Sequence, residues 1–229
     1  SYLLLAFGAG AVNAGAFLAC ERFITHVTGT VTRIGLDVRM PLLMLEYTLV
    51  LLAFVVGAMS SVLAHKARTL RGAPPRHASP LVVVAAVLGA TAVAGHLGAF
   101  GPLGGTVEEP IDFAFLSVIA FAMGLMNASV ATSTALAVRT THMTGPVSDF
   151  AVSLATAWLT VGDERKGALR VAALRGGKVV AFAVGAASMV PAVGALGYLA
   201  FGIPAVCVLF AALRSFVTRP VDDRALATA

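Results

Sequence analysis

The sequence predicts an all-α fold, a polytopic membrane helix bundle built on an internal repeat. Three observations carry this. The 229-residue chain is 59% hydrophobic and only 12% charged, where a soluble domain holds about 25% charged residues. Its apolar runs are continuous and rich in Ala, Leu and Gly, and several approach the ~20 residues a membrane-crossing helix needs. Continuous runs also exclude a barrel, whose strands alternate. Finally, the same short signatures occur twice in the same order. Gly10-x-x-Asn13-Ala14 precedes Thr25-His26-Val27-Thr28-Gly29, and Gly124-x-x-Asn127-Ala128 precedes Thr141-His142-Met143-Thr144-Gly145. A third echo pairs Phe54–Ser60 with Phe182–Ser188.

Six spans follow from the apolar runs: Tyr2–Cys20, Pro41–Ala64, Pro80–Phe100, Ile111–Val138, Lys178–Val193 and Tyr198–Val217. The fifth can begin as early as Ala168. Two segments are too short or too polar to cross, Thr30–Arg39 and Pro146–Val161. Each follows a Thr-His-x-Thr-Gly motif, so they read as equivalent half-helices or re-entrant pieces. Such backbone is tolerated at membrane depth where it is buried in protein or lines a cavity. A seventh span, with Pro146–Val161 crossing fully, is the alternative. The first repeat then covers residues 1–104 and the second 105–229, within one membrane domain.

Charge sets the orientation. The loop from His65 through Lys66, Arg68, Arg71 and Arg76 is basic, as is the region of Arg165, Lys166, Arg170 and Arg175. The tail adds Arg214, Arg219 and Arg224, while the loop near Glu108, Glu109 and Asp112 holds no Lys or Arg. Cytoplasmic loops carry the excess of Lys and Arg, so both termini are expected inside. Three spans per half then make an inverted 3+3 repeat. The net charge of +5 reflects these loops and does not imply nucleic acid. Cys20 and Cys207 lie in separate apolar segments without ligand spacing, so neither a disulfide nor a metal site is expected. The chain begins at Ser1 beside its first apolar run, which leaves a removed targeting segment open.

The motifs suit a binding site. Gly145 and Pro146 interrupt any helix leaving the fourth span, and Pro146 fits the first turn of a new one with Thr144 or Gly145 as its N-cap. A helix start offers unpaired N–H groups and a positive dipole end. Two such starts facing each other near the midplane would hold a polar or anionic ligand. Asn13, Thr25, Thr28, Asn127, Arg139, Thr141 and Thr144 are the candidate substrate-binding residues. His26, His142, Asp149 and Glu46 are the candidate proton carriers, because imidazole and carboxylate change charge in this setting. Each has a plain structural reading. The two Asn residues can bond across close helix contacts among small residues. The His residues can meet carbonyls at the helix breaks, and Arg139 can anchor at the interface. Glu46 aligns with Leu174 in the repeat register, so it stands outside the symmetric set. Arg33 and Asp37 sit four apart and pair locally; Trp158 and Tyr198 read as interface anchors. No GxSxG, HExxH, Walker or Rossmann signature is present, so no cofactor and no enzyme activity are expected.

At these residues the chain resembles the YoaK family of bacterial inner-membrane proteins, the group classed as DUF1275. The resemblance covers almost the whole chain. It rests on Gly10-x-x-Asn13-Ala14 and Thr28-Gly29, then on Gly124-x-x-Asn127-Ala128 and Thr140-Thr141-His142-Met143-Thr144-Gly145. Where family members commonly carry Asn after the first Thr-Gly, this chain has Thr30. The resemblance implies a multi-pass, transporter-like protein of the bacterial inner membrane and names no substrate.

The expected function is a secondary transporter for a small polar or anionic solute, with proton coupling through the His and Asp residues. A passive channel and a lipid flippase or lipid-binding protein are the alternatives. An intramembrane enzyme is disfavoured, because a catalytic centre rarely needs two copies of one motif. Membrane lipids and the solute are the expected partners. Small-residue faces in the first and fourth spans could also serve a homo-oligomer.

Overall fold

The computed structural model describes residues 2–73, 78–104, 109–133 and 141–217, with side chains as far as 214. Among the described residues the protein is all helix. The elements are α1 (Tyr2–Cys20), α2 (Val27–Leu36), α3 (Pro41–Leu70), α4 (Ser79–His96), α5 (Pro110–Ser133), α6 (Thr144–Leu159), α7 (Gly162–Leu196) and α8 (Gly202–Val217). A 3-10 turn, Gly197–Phe201, joins the last two. Five helical stretches are long and apolar enough to cross a membrane: α1, α3, α4, α5 and the 53-residue run from Gly162 to Arg214. That composition and length mark a multi-pass membrane protein.

Several helices outrun the apolar runs that predicted them. α3 continues from Ala64 to Leu70, and α7 begins at Gly162 rather than near Lys178. Both extensions are rich in charge, and a charged helix can continue beyond the hydrocarbon without exposing backbone to lipid. Pro41 opens α3 with its φ already set. Gly197, at φ 58°, closes α7 in a conformation that favours glycine. The expected end of the fourth span, 134–138, lies outside the described residues.

The helices pair through a motif that occurs four times: Phe7-x-x-Gly10, Phe54-x-x-Gly57, Phe121-x-x-Gly124 and Phe182-x-x-Gly185. A Cβ added at Gly10 would fall on the carbonyl oxygen of Phe182, and one at Gly185 on that of Phe7. The same reciprocal contact joins Gly57 to Phe121 and Gly124 to Phe54. Only the absence of a side chain lets these backbones meet so closely, where dispersion and weak Cα–H···O contacts hold helices that no hydrophobic force drives together in lipid. Thus α1 packs on α7 and α3 on α5.

Side-chain contacts give the directions. Leu3 lies beside Gly177, and further along Gly15 lies beside Met189, so α1 and α7 run together. Tyr47 meets Phe113 edge-on at 5.2 Å, while Val62 and Ala131 border one cavity beyond the glycine crossing; α3 and α5 also run together. Gly8 lies beside Val208 but Gly15 beside Phe201, so α8 runs against α1. Gly95 meets Tyr198, which brings the end of α4 to the start of α8. At one end of the bundle, therefore, α1, α4 and α7 finish while α3, α5 and α8 begin. The core at that end is aromatic. Phe115 packs edge-on to Tyr198 and Phe201 at 5.6 and 5.5 Å. Tyr198 is 5% exposed and donates its hydroxyl to the Phe100 carbonyl at 3.3 Å. The expectation that Tyr198 anchors at the membrane interface is corrected: a nearby carbonyl satisfies its hydroxyl, which lets the ring enter the core.

Candidate functional site

The first motif follows the end of α1. The chain turns sharply at Glu21, which holds the left-handed backbone (φ 53°) and donates its N–H to the Phe17 carbonyl at 2.7 Å. Asn13, deep in α1, then fastens the returning segment. Its side-chain oxygen accepts from both the Thr25 N–H (3.0 Å) and the Thr25 hydroxyl (2.9 Å). This explains the pairing of Gly-x-x-Asn-Ala with Thr-His: the Asn supplies one acceptor for two donors of a buried Thr. His26 precedes α2, and a Cβ at Gly29 would lie 2.8 Å from its Nδ1. The glycine of the motif makes room for the imidazole.

A cavity of about 380 Å³ opens beside this turn. Glu21, Arg22, His26, Thr28, Thr30 and Arg33 supply its polar lining. Arg22 donates to the Tyr47 hydroxyl and to the Glu21 carbonyl at 3.0 Å. Arg33 pairs with Asp37 at 3.9 Å as the spacing predicts.

The second motif repeats the sequence with different chemistry. Thr141 is again buried, and His142 again covers a helix start, accepting the Gly145 N–H on Nε2 at 3.2 Å. The expected N-cap, Thr144 or Gly145, is corrected: α6 begins at Thr144 and Met143 takes the cap position, while the imidazole does the capping from one residue earlier. A nitrogen that accepts carries no proton, so the bond requires the neutral imidazole with Nε2 bare. Lys178 on α7, buried to 7% exposure, donates to the His142 carbonyl at 2.8 Å. Asp149 pairs with Arg175 at 3.5 Å. Asn127 departs most from its counterpart. Its side-chain oxygen is buried without a hydrogen-bond partner among the described residues, at the edge of a largely apolar cavity of about 480 Å³ between α3 and α5.

The two motifs lie at opposite ends of the bundle. The first turns back after Cys20 and is held by Thr25 level with Asn13 of α1, whereas Lys178, which holds the second, lies level with Leu3. Ten residues of helix separate those levels, about 15 Å at ~1.5 Å per residue. The short helix α2 packs on α3, and α6 packs on α7. The expected single midplane chamber between the two helix starts is neither of the two cavities above, which share no lining residue. Thr28 borders the first cavity and Asn127 the other. Glu46 borders neither. Thr144 accepts at its carbonyl from the Ser148 hydroxyl within α6. Arg139 lies outside the described residues.

Sequence reasoning missed Lys178, Arg22 and Glu21. Lys178 was visible as an isolated cation at the head of an apolar run, a placement that usually marks function in a membrane helix. Glu21-Arg22 was visible as a charged pair where an apolar run ends. No group of three or more His, Cys, Asp or Glu residues among those described is arranged to hold a metal.

The family model described as "Protein of unknown function (DUF1275)" matches residues 2–214. The chain belongs to the DUF1275 family. The match runs through both motif-bearing ends and all the helix pairs described above. Comparison with curated proteins and with solved structures finds no match.

Proposed function

We propose that this DUF1275 protein is a secondary transporter for a small polar or anionic solute, working by alternating access in a bacterial inner membrane. The carrying observation is that one Asn–Thr device exists in two states on an otherwise equivalent scaffold. Asn13 is closed onto Thr25, while Asn127 is open beside a cavity. Exchange of the two states between the halves would expose the ends in turn.

The reading takes the chain as six crossings in an inverted 3+3 repeat, residues 1–104 and 105–229. The 53-residue stretch ending at Arg214 would extend about 80 Å as one helix, far beyond the ~30 Å hydrocarbon core, so its break at Gly197 separates two crossings. Lys66, Arg68, Arg71, Arg165, Lys166 and Arg170 fall on segments at the second-motif end. That end is then cytoplasmic, together with both termini. The first cavity opens outward. His142 gives a route to proton coupling, since protonation of Nε2 uncaps α6 and sets a positive charge against a positive helix end.

Uptake into proteoliposomes driven by a pH gradient tests this. Saturable flux is expected, reduced in the double variant His26→Ala with His142→Ala. Unchanged flux in that variant removes the proton role. Non-saturating conductance selects a channel instead, and transfer of labelled phospholipid between leaflets without solute flux selects a flippase.

A further inference from the structure

We infer that the cavity at the first motif takes a zwitterion with an apolar body, a solute of the amino-acid class. This rests on reading that cavity as the outer solute site of a transporter. Its volume of about 380 Å³ falls within the ~300–1,000 Å³ typical of small-molecule sites.

Both signs of charge line it. Arg22 is held in place by Tyr47 and by the Glu21 carbonyl. Arg33 is more loosely held, 3.9 Å from Asp37 with a side chain 45% exposed. It stands in the last turn of α2, on the same cavity wall as Gly29 and Thr30, whose backbone at the helix start adds positive potential. This corner suits a carboxylate, which Arg binds through two parallel N–H groups. Glu21 supplies the opposite pole. It occupies a left-handed position at the end of α1, where glycine is the usual residue. A side chain there costs roughly 1 kcal/mol relative to glycine. The turn does not need that side chain, and no hydrogen bond or ion pair of the Glu21 carboxylate occurs among the described residues. A carboxylate kept at such a site, on the wall of a cavity, suits an incoming ammonium group.

Between the poles the walls are apolar. Phe17 and Phe23 stack at 4.5 Å with 18° between their planes, and His26 stands edge-on to Phe23 at 6.5 Å. Both phenyl rings are exposed, so the stack can extend onto a guest. Ile24, Leu36, Val50 and Leu116 complete the apolar lining. A simple anion would lie beside Glu21, and a simple cation would meet two guanidinium groups and a helix start. Each is penalised by like charge. A zwitterion satisfies both corners.

Three probes with one body separate these cases: phenylalanine, 3-phenylpropionate and 2-phenylethylamine. Binding to the full chain in nanodiscs is read by calorimetry. Phenylalanine is expected to bind at least about tenfold more tightly than either partial analogue, a difference of ~1.4 kcal/mol. Glu21→Gln should remove its advantage over phenylpropionate, and Arg33→Gln its advantage over phenylethylamine. Glu21→Gly separates binding from folding: thermal stability should rise while phenylalanine binding falls. Equal binding of the three probes, a preference for either analogue, or no binding overturns the inference. Zwitterion-selective binding without phenylalanine uptake by proteoliposomes leaves this site standing and removes the transporter reading. Saturable uptake of another solute with no zwitterion preference does the reverse.

Discussion

The two ends of the bundle carry the same words and make different sentences of them. At the first, Asn13 spends its side-chain oxygen on both donors of Thr25, and the space beside it is lined by charges of both signs. At the second, Asn127 has no partner for that oxygen among the described residues, and a buried lysine holds the motif by its backbone instead. In the repeat register Lys178 replaces Val50, and Arg175 replaces Tyr47. The helix crossings show no such divergence, since all four Phe-x-x-Gly contacts match. The repeat has kept its scaffold and let its ends differ. The alternating access proposed above would use that combination.

The scaffold should be the most fragile part. Gly10→Val or Gly124→Val places a branched side chain on a carbonyl, and overpacking of that kind costs about 3 kcal/mol or more. Loss of monodisperse protein after detergent extraction is expected from both, to the same degree; tolerance at either glycine would break the equivalence of the crossings. Next in size is Lys178→Met. A hydrogen bond from a charged group contributes ~1.5–3 kcal/mol, so amide exchange across Thr141–Gly145 should quicken by roughly ten- to a hundredfold, with Thr25–Gly29 unchanged. Acceleration at both motifs would mean that Lys178 supports the whole bundle. The smallest effect sharpens the contrast most. Asn13→Ala leaves two donors on Thr25 without their acceptor and should destabilise by about 2 kcal/mol. Asn127→Ala removes an oxygen that bonds nothing and should stay within ~0.5 kcal/mol. Thermal unfolding of the two variants side by side decides this, and equal losses would show that the open state of Asn127 is not the resting one.

Much of the fold was legible because hydrophobic length is a one-dimensional quantity. The membrane-length runs of α1, α3, α4 and α5 can be read directly from the chain, as can the duplicated motifs. The pairing of α1 with α7 was not. The Phe-x-x-Gly signature is present four times in the sequence, yet four identical signatures do not say which meets which. The charged ends of α3 and α7 escaped for a different reason: apolar length reports where lipid stops, while helix continues into water through Arg68 and Arg170. At the sites, the repeated residues could be found but their spacing in depth could not. His26 and His142 look like partners because they share a motif, yet one precedes α2, packed on α3, and the other precedes α6, packed on α7. Glu21 offers the clearest limit. Its identity is plain in the sequence, but only the backbone angle reveals that glycine's place has been given to an acid.

The pairing of α1 with α7 also constrains how the protein is made. The surface around Gly10 is synthesised before its cover, and Phe182, which covers it, follows 172 residues later. At bacterial translation speeds of ~5–20 residues per second, that wait lasts roughly 9–35 seconds. Meanwhile the leading helix must remain beside the insertion machinery or in lipid with its closest-fitting surface vacant. The close contact of α1 with α7 cannot form until both have been made.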